Sequence, residues 1–171
     1  MNGTETDKLL VLISGGDNAA FEELYLRTKR GVFAFLYTYL HDVADTEDAM
    51  QTVYLKIKTS IASYRRGTNG RAWILQIAKN HALNVLRQKK RAVSLDDAPE
   101  IAVRPEEDHG VTELMQRLLS EDEQRIVTLH VLWDYKHREI AEMLSLPTGT
   151  VTSKYKRAIE KLRNALKEVE Q

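Results

Sequence analysis

Apolar residues recur three and four positions apart through most of this 171-residue chain. That spacing is typical of α-helices that bury one face against a core. The pattern therefore predicts an all-α fold, with Asp17 capping the second helix after a stop at Gly15 and Gly16. The predicted helices cover residues 6–14, 17–41, 45–60, 71–91, 111–119 and 121–133, and two more lie within residues 137–166.

These helices fall into two groups, separated by residues 92–110. The intervening segment contains Pro99 and Pro105, shows no sustained period, and carries six acidic residues against the single cation Arg104. The length of the chain allows one domain or two small ones. We therefore predict two small helical domains, residues 1–91 and 111–171, joined by an acidic linker over residues 92–110.

The helix predicted over residues 45–60 has two distinct stripes, and Asp45 is expected to begin it. The first stripe is expected in the core and comprises Met50, Val53, Tyr54 and Ile57. The second, here termed the docking stripe, comprises Asp48, Gln51, Thr52, Leu55 and Lys58. An exposed leucine among an acid, an amide and a cation resembles a protein docking surface. An ordinary exposed helix face fits the periodicity equally well.

The pattern of residues 71–91 predicts a helix with one apolar side and one polar side that is rich in amides and arginines. The apolar side comprises Ile74, Ile77, Ala78, His81 and Val85. The polar side, here termed the amide–arginine face, comprises Trp73, Gln76, Asn80, Asn84, Arg87 and Arg91. Its amides can read base edges, and its cations are not interspersed with the glutamates that a merely solvated helix would use. The pattern favours nucleic-acid binding over a solvated face.

The segment before this helix, residues 63–70, reads as a loop from its composition. It carries Arg65, Arg66 and Asn69, which are expected beside the amide–arginine face.

The last helices predict a helix-turn-helix. Small Ala141 allows close crossing, residues 145–147 form a tight turn, and Val151 fills the angle between the helices. The second helix can then present hydroxyls and cations to a major groove. Its outward residues are Thr148, Thr150, Thr152, Ser153, Lys156 and Arg157. Two-helix turns that bind no DNA are common, so a purely structural motif stays open as the alternative.

Composition changes this interpretation little. Lys plus Arg and Asp plus Glu each number 25, but residues 71–91 are purely basic and the linker is acidic, so the zero net charge is misleading. The chain has no cysteine, which excludes disulfides and thiolate metal sites. It shows no signal peptide and no membrane-length apolar run, so we expect a cytoplasmic protein without membrane insertion.

Enzyme motifs are missing from the sequence. There is no glycine-rich phosphate loop, no HExxH and no nucleophile elbow. The carboxylates of residues 42–48 are better explained as a solvated helix start than as a catalytic cluster. The five histidines lack metal-ligand spacing with one another. We therefore expect no metal, no cofactor and no enzymatic activity.

Four motifs in this order resemble the extracytoplasmic-function (ECF) sigma factors of bacterial RNA polymerase. GDNAAFEELY resembles the opening helix of that family, and DTEDAMQTVYLKIK its polymerase-docking helix. RAWILQIAKNHALNVLRQKKR resembles the helix for the minus-ten promoter element. The stretch from LSEDEQRIV to AIEKLR resembles the terminal domain for the minus-thirty-five element. The resemblance covers nearly the whole chain.

The resemblance carries functional roles onto particular residues. It implies polymerase binding by Asp48, Gln51, Tyr54 and Leu55, with Thr52 where the family usually has glutamate. It implies that Asn80 and Asn84, with the preceding loop, hold a base extruded from the non-template strand. The full set implied for the minus-ten element is Arg65, Asn69, Trp73, Gln76, Asn80, Asn84 and Arg87. The outward residues of the helix-turn-helix would contact the minus-thirty-five element, although Thr152 replaces a frequent cation and Ser145 the usual turn glycine.

The implied partners are core RNA polymerase and promoter DNA, and an anti-sigma protein is a candidate third partner. Residues 1–91 would correspond to sigma domain two and residues 111–171 to sigma domain four. Such a protein acts by binding energy while the polymerase does the chemistry. A stand-alone helix-turn-helix regulator with an N-terminal interaction domain is the alternative, since it explains the C-terminal half equally well.

Overall fold

The computed structural model describes residues 3–93 and 110–169, and within those ranges every regular element is helical. The chain divides into two compact units, which confirms the predicted all-α, two-domain fold class. The described helices are α1 (Gly3–Ser14), α2 (Asn18–Leu40), α3 (Val43–Ser60), α4 (Gly70–Ala92), α5 (Gly110–Leu118), α6 (Glu121–Val127), α7 (His137–Leu144) and α8 (Thr148–Val169).

The predicted linker over residues 92–110 lies almost wholly outside the described residues. Its two end positions need correction, because α4 continues through Ala92 and α5 already begins at Gly110. The helical period of each flanking helix extends one residue further than the composition indicated.

In the first unit, α1, α3 and α4 all pack against α2. Residues 31–38 of α2 are consequently buried on every side, as expected for a helix surrounded by others. Four large side chains on the four helices, Leu10, Leu24, Ile57 and Ile74, are completely buried. This packing fixes one side of α3 and one side of α4 and leaves their other sides exposed.

Local capping accounts for where α2 and α3 begin. The Asp17 side chain accepts a hydrogen bond from the Ala20 amide at 3.0 Å, which confirms the predicted cap of α2. The predicted start of α3 at Asp45 is wrong. Asp42 caps this helix by accepting from the Asp45 amide at 2.8 Å, and Asp45 lies in the first turn, where it pairs with Lys89 of α4.

In the second unit, α6 begins with a capping box between Ser120 and Glu123. The Ser120 amide donates to Glu123 Oε2 at 2.9 Å, and Glu123 also accepts from Lys161 Nζ of α8 at 2.8 Å. Burial raises the pKa of this carboxyl, but the bonds from Lys161 and Ser120 outweigh that effect and lower it. The local cap is therefore also a link between α6 and α8.

The helix predicted over residues 121–133 is helical to Leu132 but is not regular α-helix throughout. Regular α-helix ends at Val127, residues Thr128–Leu132 form a wider π-type turn, and Asp134 adopts a left-handed conformation with φ of 55°. This turn buries the side chains of both Trp133 and Tyr135. A backbone bond from the Tyr135 amide to the Leu129 carbonyl, 3.1 Å long, closes it.

The helix-turn-helix is formed by α7 and α8, as predicted. Ser145 adopts a left-handed conformation with φ of 54°, and the Leu146 amide bonds back to the Ala141 carbonyl at 2.9 Å. Ala141 and Val151 are buried where the two helices meet. The turn thus uses the conformation that glycine adopts most readily, with a serine in its place.

Candidate nucleic-acid interface

The amide–arginine face of α4 is open to solvent. Gln76, Asn80, Asn84 and Arg87 are exposed, and Trp73 is half-buried. Gln76 Nε2 donates to Asn80 Oδ1 at 2.8 Å, and Arg87 donates to Asn84 Oδ1. Gln76 and Asn80 therefore bond to each other at the surface, one helical turn apart, Asn84 bonds to Arg87, and none of the three amides is sealed in the core.

The buried side of α4 differs from the prediction. Ile74 and Ala78 are buried as expected, but Ile77, His81 and Val85 are only half-buried, and Leu75 and Ala82 are buried instead. The cause is that α4 packs against α1, α2 and α3 together, so its core side is broader than one stripe and turned towards Leu75. His81 lies at the boundary, 3.4 Å from Lys56 Nζ, and burial followed by the Lys56 charge lowers its pKa.

The loop before α4 is held by its own residues and by α1. The Asn69 side chain caps α4 by accepting from the Ala72 amide at 3.1 Å, while Arg65 and Arg66 are exposed. The Tyr64 ring lies against the Trp73 indole, with 5.3 Å between ring centroids. Asn69 is thus a structural cap as well as a predicted contact residue.

One residue of this site was missed in the sequence. Asp7 of α1 accepts hydrogen bonds from the Tyr64 hydroxyl at 2.8 Å and from the Gly70 amide at 2.7 Å. It lies 57 and 63 positions from those partners, and no local spacing relates them.

The docking stripe on α3 is exposed at Asp48, Gln51, Leu55 and Lys58. Leu55 has 62% of its surface exposed, which is high for a leucine in a helix that packs against two others. Thr52 is half-buried, and its hydroxyl donates to the Asp48 carbonyl at 3.2 Å. The stripe therefore presents an apolar side chain flanked by an acid, an amide and a cation.

Tyr54, which the periodicity assigns to the core stripe and the resemblance to polymerase binding, lies in the core. Tyr54 is only 5% exposed, its hydroxyl lies 2.7 Å from Thr28 Oγ1, and its ring packs edge-on against Tyr25 and Phe21 of α2. Burial raises the pKa of Tyr54 well above its usual value. Tyr54 belongs to the core stripe because the helical period points it at α2, beneath the docking stripe.

On the recognition helix α8, the predicted DNA contacts divide into two sets. Thr148, Ser153, Lys156 and Arg157 are exposed, whereas Thr150 and Thr152 are half-buried. Thr152 Oγ1 lies 3.1 Å from His137 Nδ1 at the start of α7. Thr152 is therefore already engaged within the motif, which the outward helical position did not reveal.

His137 belongs to a compact group of rings beneath the recognition helix. His130, His137 and Tyr155 lie with ring centroids 4.7–4.9 Å apart, and His130 Nδ1 bonds to the Tyr135 carbonyl at 2.8 Å. Burial, followed by the neighbouring His130, lowers the pKa of His137. Within residues 3–93 and 110–169, no three histidines or carboxylates are grouped to hold a metal ion. Among the helices described, none has an apolar stretch that would cross a bilayer.

Comparison with known proteins identifies both units. Residues 24–92 match Sigma-70 region 2, and residues 112–162 match Sigma-70, region 4. The ECF RNA polymerase sigma factor SigK of Mycobacterium tuberculosis is 25% identical over 177 residues, covering 95% of this chain and 94% of SigK. The chain belongs to the ECF sigma factors. RNA polymerase sigma factor CarQ of Myxococcus xanthus is similarly related to this sigma factor, with 28% identity over 165 residues, 91% of this chain and 94% of CarQ.

A solved structure shares the fold. The sigma factor RpoE of Bartonella quintana, in complex with the anti-sigma factor NepR, superimposes with a TM-score of 0.61 and 21% identity, covering 86% of this chain and 96% of that chain. The matches to Sigma-70 regions 2 and 4, together with the sigma-factor relatives, confirm the family resemblance and the function as an RNA polymerase sigma factor. A stand-alone regulator is not favoured, because the N-terminal unit is itself a sigma region.

Proposed function

We propose that this sigma factor divides its work among three surfaces. The docking stripe of α3 binds core polymerase, the amide–arginine face of α4 captures bases of the minus-ten element, and the start of α8 contacts the minus-thirty-five duplex. The first two surfaces belong to residues 1–91 and the third to residues 111–171. The observation that supports this proposal is the exposure of the amide–arginine face on a helix whose other side is fixed in the core.

Docking rests on Asp48, Gln51 and Leu55. Partner surfaces commonly bury an apolar centre within a polar rim, and an exposed leucine between an acid and an amide has that arrangement. Tyr54 takes no direct part, since it is buried against α2. Its contribution is to hold α3 on α2, so that the stripe is presented as a rigid surface.

Base capture rests on Asn80 and Asn84, with Gln76 and Arg87 beside them. An amide both donates and accepts, so it can match a base edge, and the cation can contact the phosphate. In the free protein Gln76 and Arg87 satisfy the Asn80 and Asn84 oxygens. A captured base replaces these exposed contacts at small cost, which leaves more binding energy to offset unstacking.

Duplex contact rests on Thr148, Ser153, Lys156 and Arg157, which are exposed on the first turns of α8. Thr150 and Thr152 are half-buried and act more weakly, and Thr152 helps to join α8 to α7 through His137. Promoter opening draws on the energy of binding to DNA, and the polymerase supplies the chemistry. It acts in the cytoplasm, where the polymerase works, and a sequestering anti-sigma protein remains a candidate partner.

Three variants of the full chain, assembled with core polymerase, test this division. Asn80→Ala should reduce promoter opening and leave polymerase binding intact, with Asn164→Ala, an exposed asparagine late in α8, as the matched control. Arg157→Ala should weaken duplex binding and reduce its salt slope by about one, with Arg163→Ala as control. Leu55→Ala should weaken polymerase binding alone, with the exposed Leu12→Ala as control.

Co-elution with core polymerase, permanganate footprinting of opened DNA and salt-dependent duplex binding give three separate readouts. Each variant should change one readout. Equal loss of polymerase binding and promoter opening in Asn80→Ala would contradict the assignment of the amide–arginine face.

A further inference from the structure

The loop that precedes the amide–arginine face is fixed at both ends by one atom of another helix. Oδ1 of Asp7, on α1, accepts from the Tyr64 hydroxyl at the start of the loop and from the Gly70 amide at its end. The exposed residues 65–69 lie between these two anchors. A single carboxylate oxygen therefore sets the distance between the two ends of the loop.

The fit around Gly70 shows how close this approach is. A Cβ at position 70 would lie 2.6 Å from Asp7 Oδ1 and 2.8 Å from Leu10 Cδ1. Real Cβ atoms do not make such contacts, so the side chains of Asp7 and Leu10 would have to shift for any residue other than glycine. Asp7 accepts its second hydrogen bond from the Gly70 amide, which lies in the first turn of α4. The backbone N–H groups of a first helical turn have no acceptor within the helix, so they favour a nearby carboxylate.

Tyr64, the other residue that Asp7 holds, contacts the amide–arginine face directly. Tyr64 packs its ring against Trp73, the first residue of that face. Burial, followed by the bond to Asp7, raises the pKa of Tyr64 to about 12, so its hydroxyl stays protonated and donates. It also lies 3.4 Å from the Thr68 carbonyl inside the loop. Asp7 thereby constrains the loop and the indole together.

We propose that Asp7 is a positioning residue for minus-ten recognition, which sets base preference by holding the loop of residues 65–69 and Trp73 in register with Asn80. This inference rests on the proposed role of the amide–arginine face. Asp7 lies on α1, before the region matched at residues 24–92. Its action is indirect, since it contacts the loop and Tyr64 and no base.

A purely structural anchor predicts a different result. If Asp7 only stabilises the fold, its removal lowers the melting temperature and the yield of binding-competent protein, while the relative preference among bases is unchanged. If Asp7 positions the loop, its removal changes which bases are preferred. Base preference is therefore the readout that separates the two roles.

The experiment uses holoenzyme assembled from core polymerase and full-length sigma variants. The probe is a single-stranded DNA library randomised at its central positions, and the bound fraction is sequenced. Asp7→Ala removes both hydrogen bonds, whereas Asp7→Asn keeps an acceptor oxygen of the same size and is the matched control. Gly70→Ala displaces Asp7 by steric clash, and Tyr64→Phe removes one bond alone, which keeps the test usable if Asp7→Ala folds poorly. Melting temperature and polymerase co-elution are measured for each variant.

The expected result is a patterned pool for the wild type and for Asp7→Asn, with about tenfold loss of preference at one or two positions in Asp7→Ala. Gly70→Ala should lose the same positions, and Tyr64→Phe should lose them in part. A wild-type pattern in Asp7→Ala and Gly70→Ala would overturn the positioning role and leave the proposed function standing. An unpatterned pool for wild-type holoenzyme would overturn the base-capture assignment and the inference with it.

Discussion

The hydrogen bond between Tyr54 and Thr28 gives a direct test of which α3 residues face the core. The Thr28 hydroxyl has one proton, and it donates that proton to the Leu24 carbonyl at 2.6 Å. The Tyr54 hydroxyl, 2.7 Å away, must therefore be the donor to Thr28 Oγ1. Tyr54→Phe removes this donor without removing the ring. Because the replaced interaction is one buried neutral hydrogen bond, the free energy of unfolding should fall by about 1 kcal/mol.

Replacing Thr28, the partner of Tyr54, should lower the free energy of unfolding by more than Tyr54→Phe does. Thr28→Val leaves the buried Tyr54 hydroxyl with no acceptor there, which costs about 1–3 kcal/mol. Adding Tyr54→Phe to Thr28→Val removes the stranded hydroxyl, so the double variant should be more stable than Thr28→Val alone. The coupling between the two sites must then exceed the cost of Tyr54→Phe alone and should be about 2 kcal/mol, which is within the range for residues in contact.

The assay is urea denaturation of the first unit. The chain has two tryptophans, one in each unit, so Trp73 fluorescence in a Trp133→Phe background reports the first unit. A loss of about 1 kcal/mol lowers the urea midpoint by about 0.5 M when the slope is about 2 kcal/mol per molar. Affinity for core polymerase should be unchanged in Tyr54→Phe and reduced in Gln51→Ala. An unchanged midpoint with weakened polymerase binding would refute the core placement of Tyr54.

Three further predictions concern stability. Asp42→Ala should lower the free energy of unfolding by about 1 kcal/mol, because it removes the cap of α3. Ser120→Val, which removes the cap of α6, is the comparison. A free energy of unfolding that falls in Ser120→Val but not in Asp42→Ala would argue against the Asp42 cap. Ser145→Gly should raise stability by up to about 1 kcal/mol, because φ of 54° strains a serine, whereas Ser145→Ala should give no gain in the same melt. Since the pKa of His137 is lowered, the unfolded chain binds more protons below about pH 6.5, and stability should decrease as the pH falls from there. His137→Gln should reduce this loss of stability at acid pH. If stability depends on pH to the same extent in the variant, His137 is not the cause.

Local features of the fold could be predicted well from the sequence. The helical period located the helices, and Asp17, three residues before the amide that it bonds, located the cap of α2. The same reasoning misplaced the start of α3, because Asp42 and Asp45 are both acceptable caps and only the fold selects between them. It also did not show that residues 128–132 form a π-type turn, because periodicity does not report the turn on which the burial of Trp133 and Tyr135 depends.

Residue chemistry in the sequence determined that this is an all-α chain with an amide-and-cation surface on one helix and a helix-turn-helix near its end. Periodicity specifies which residues share a face, but not which face meets which partner. The tertiary structure alone bonded Tyr54 to Thr28, joined Thr152 to His137, and brought Asp7 to both ends of a loop some sixty residues away. These contacts depend on how the helices pack in three dimensions, and no spacing along the chain encodes that packing.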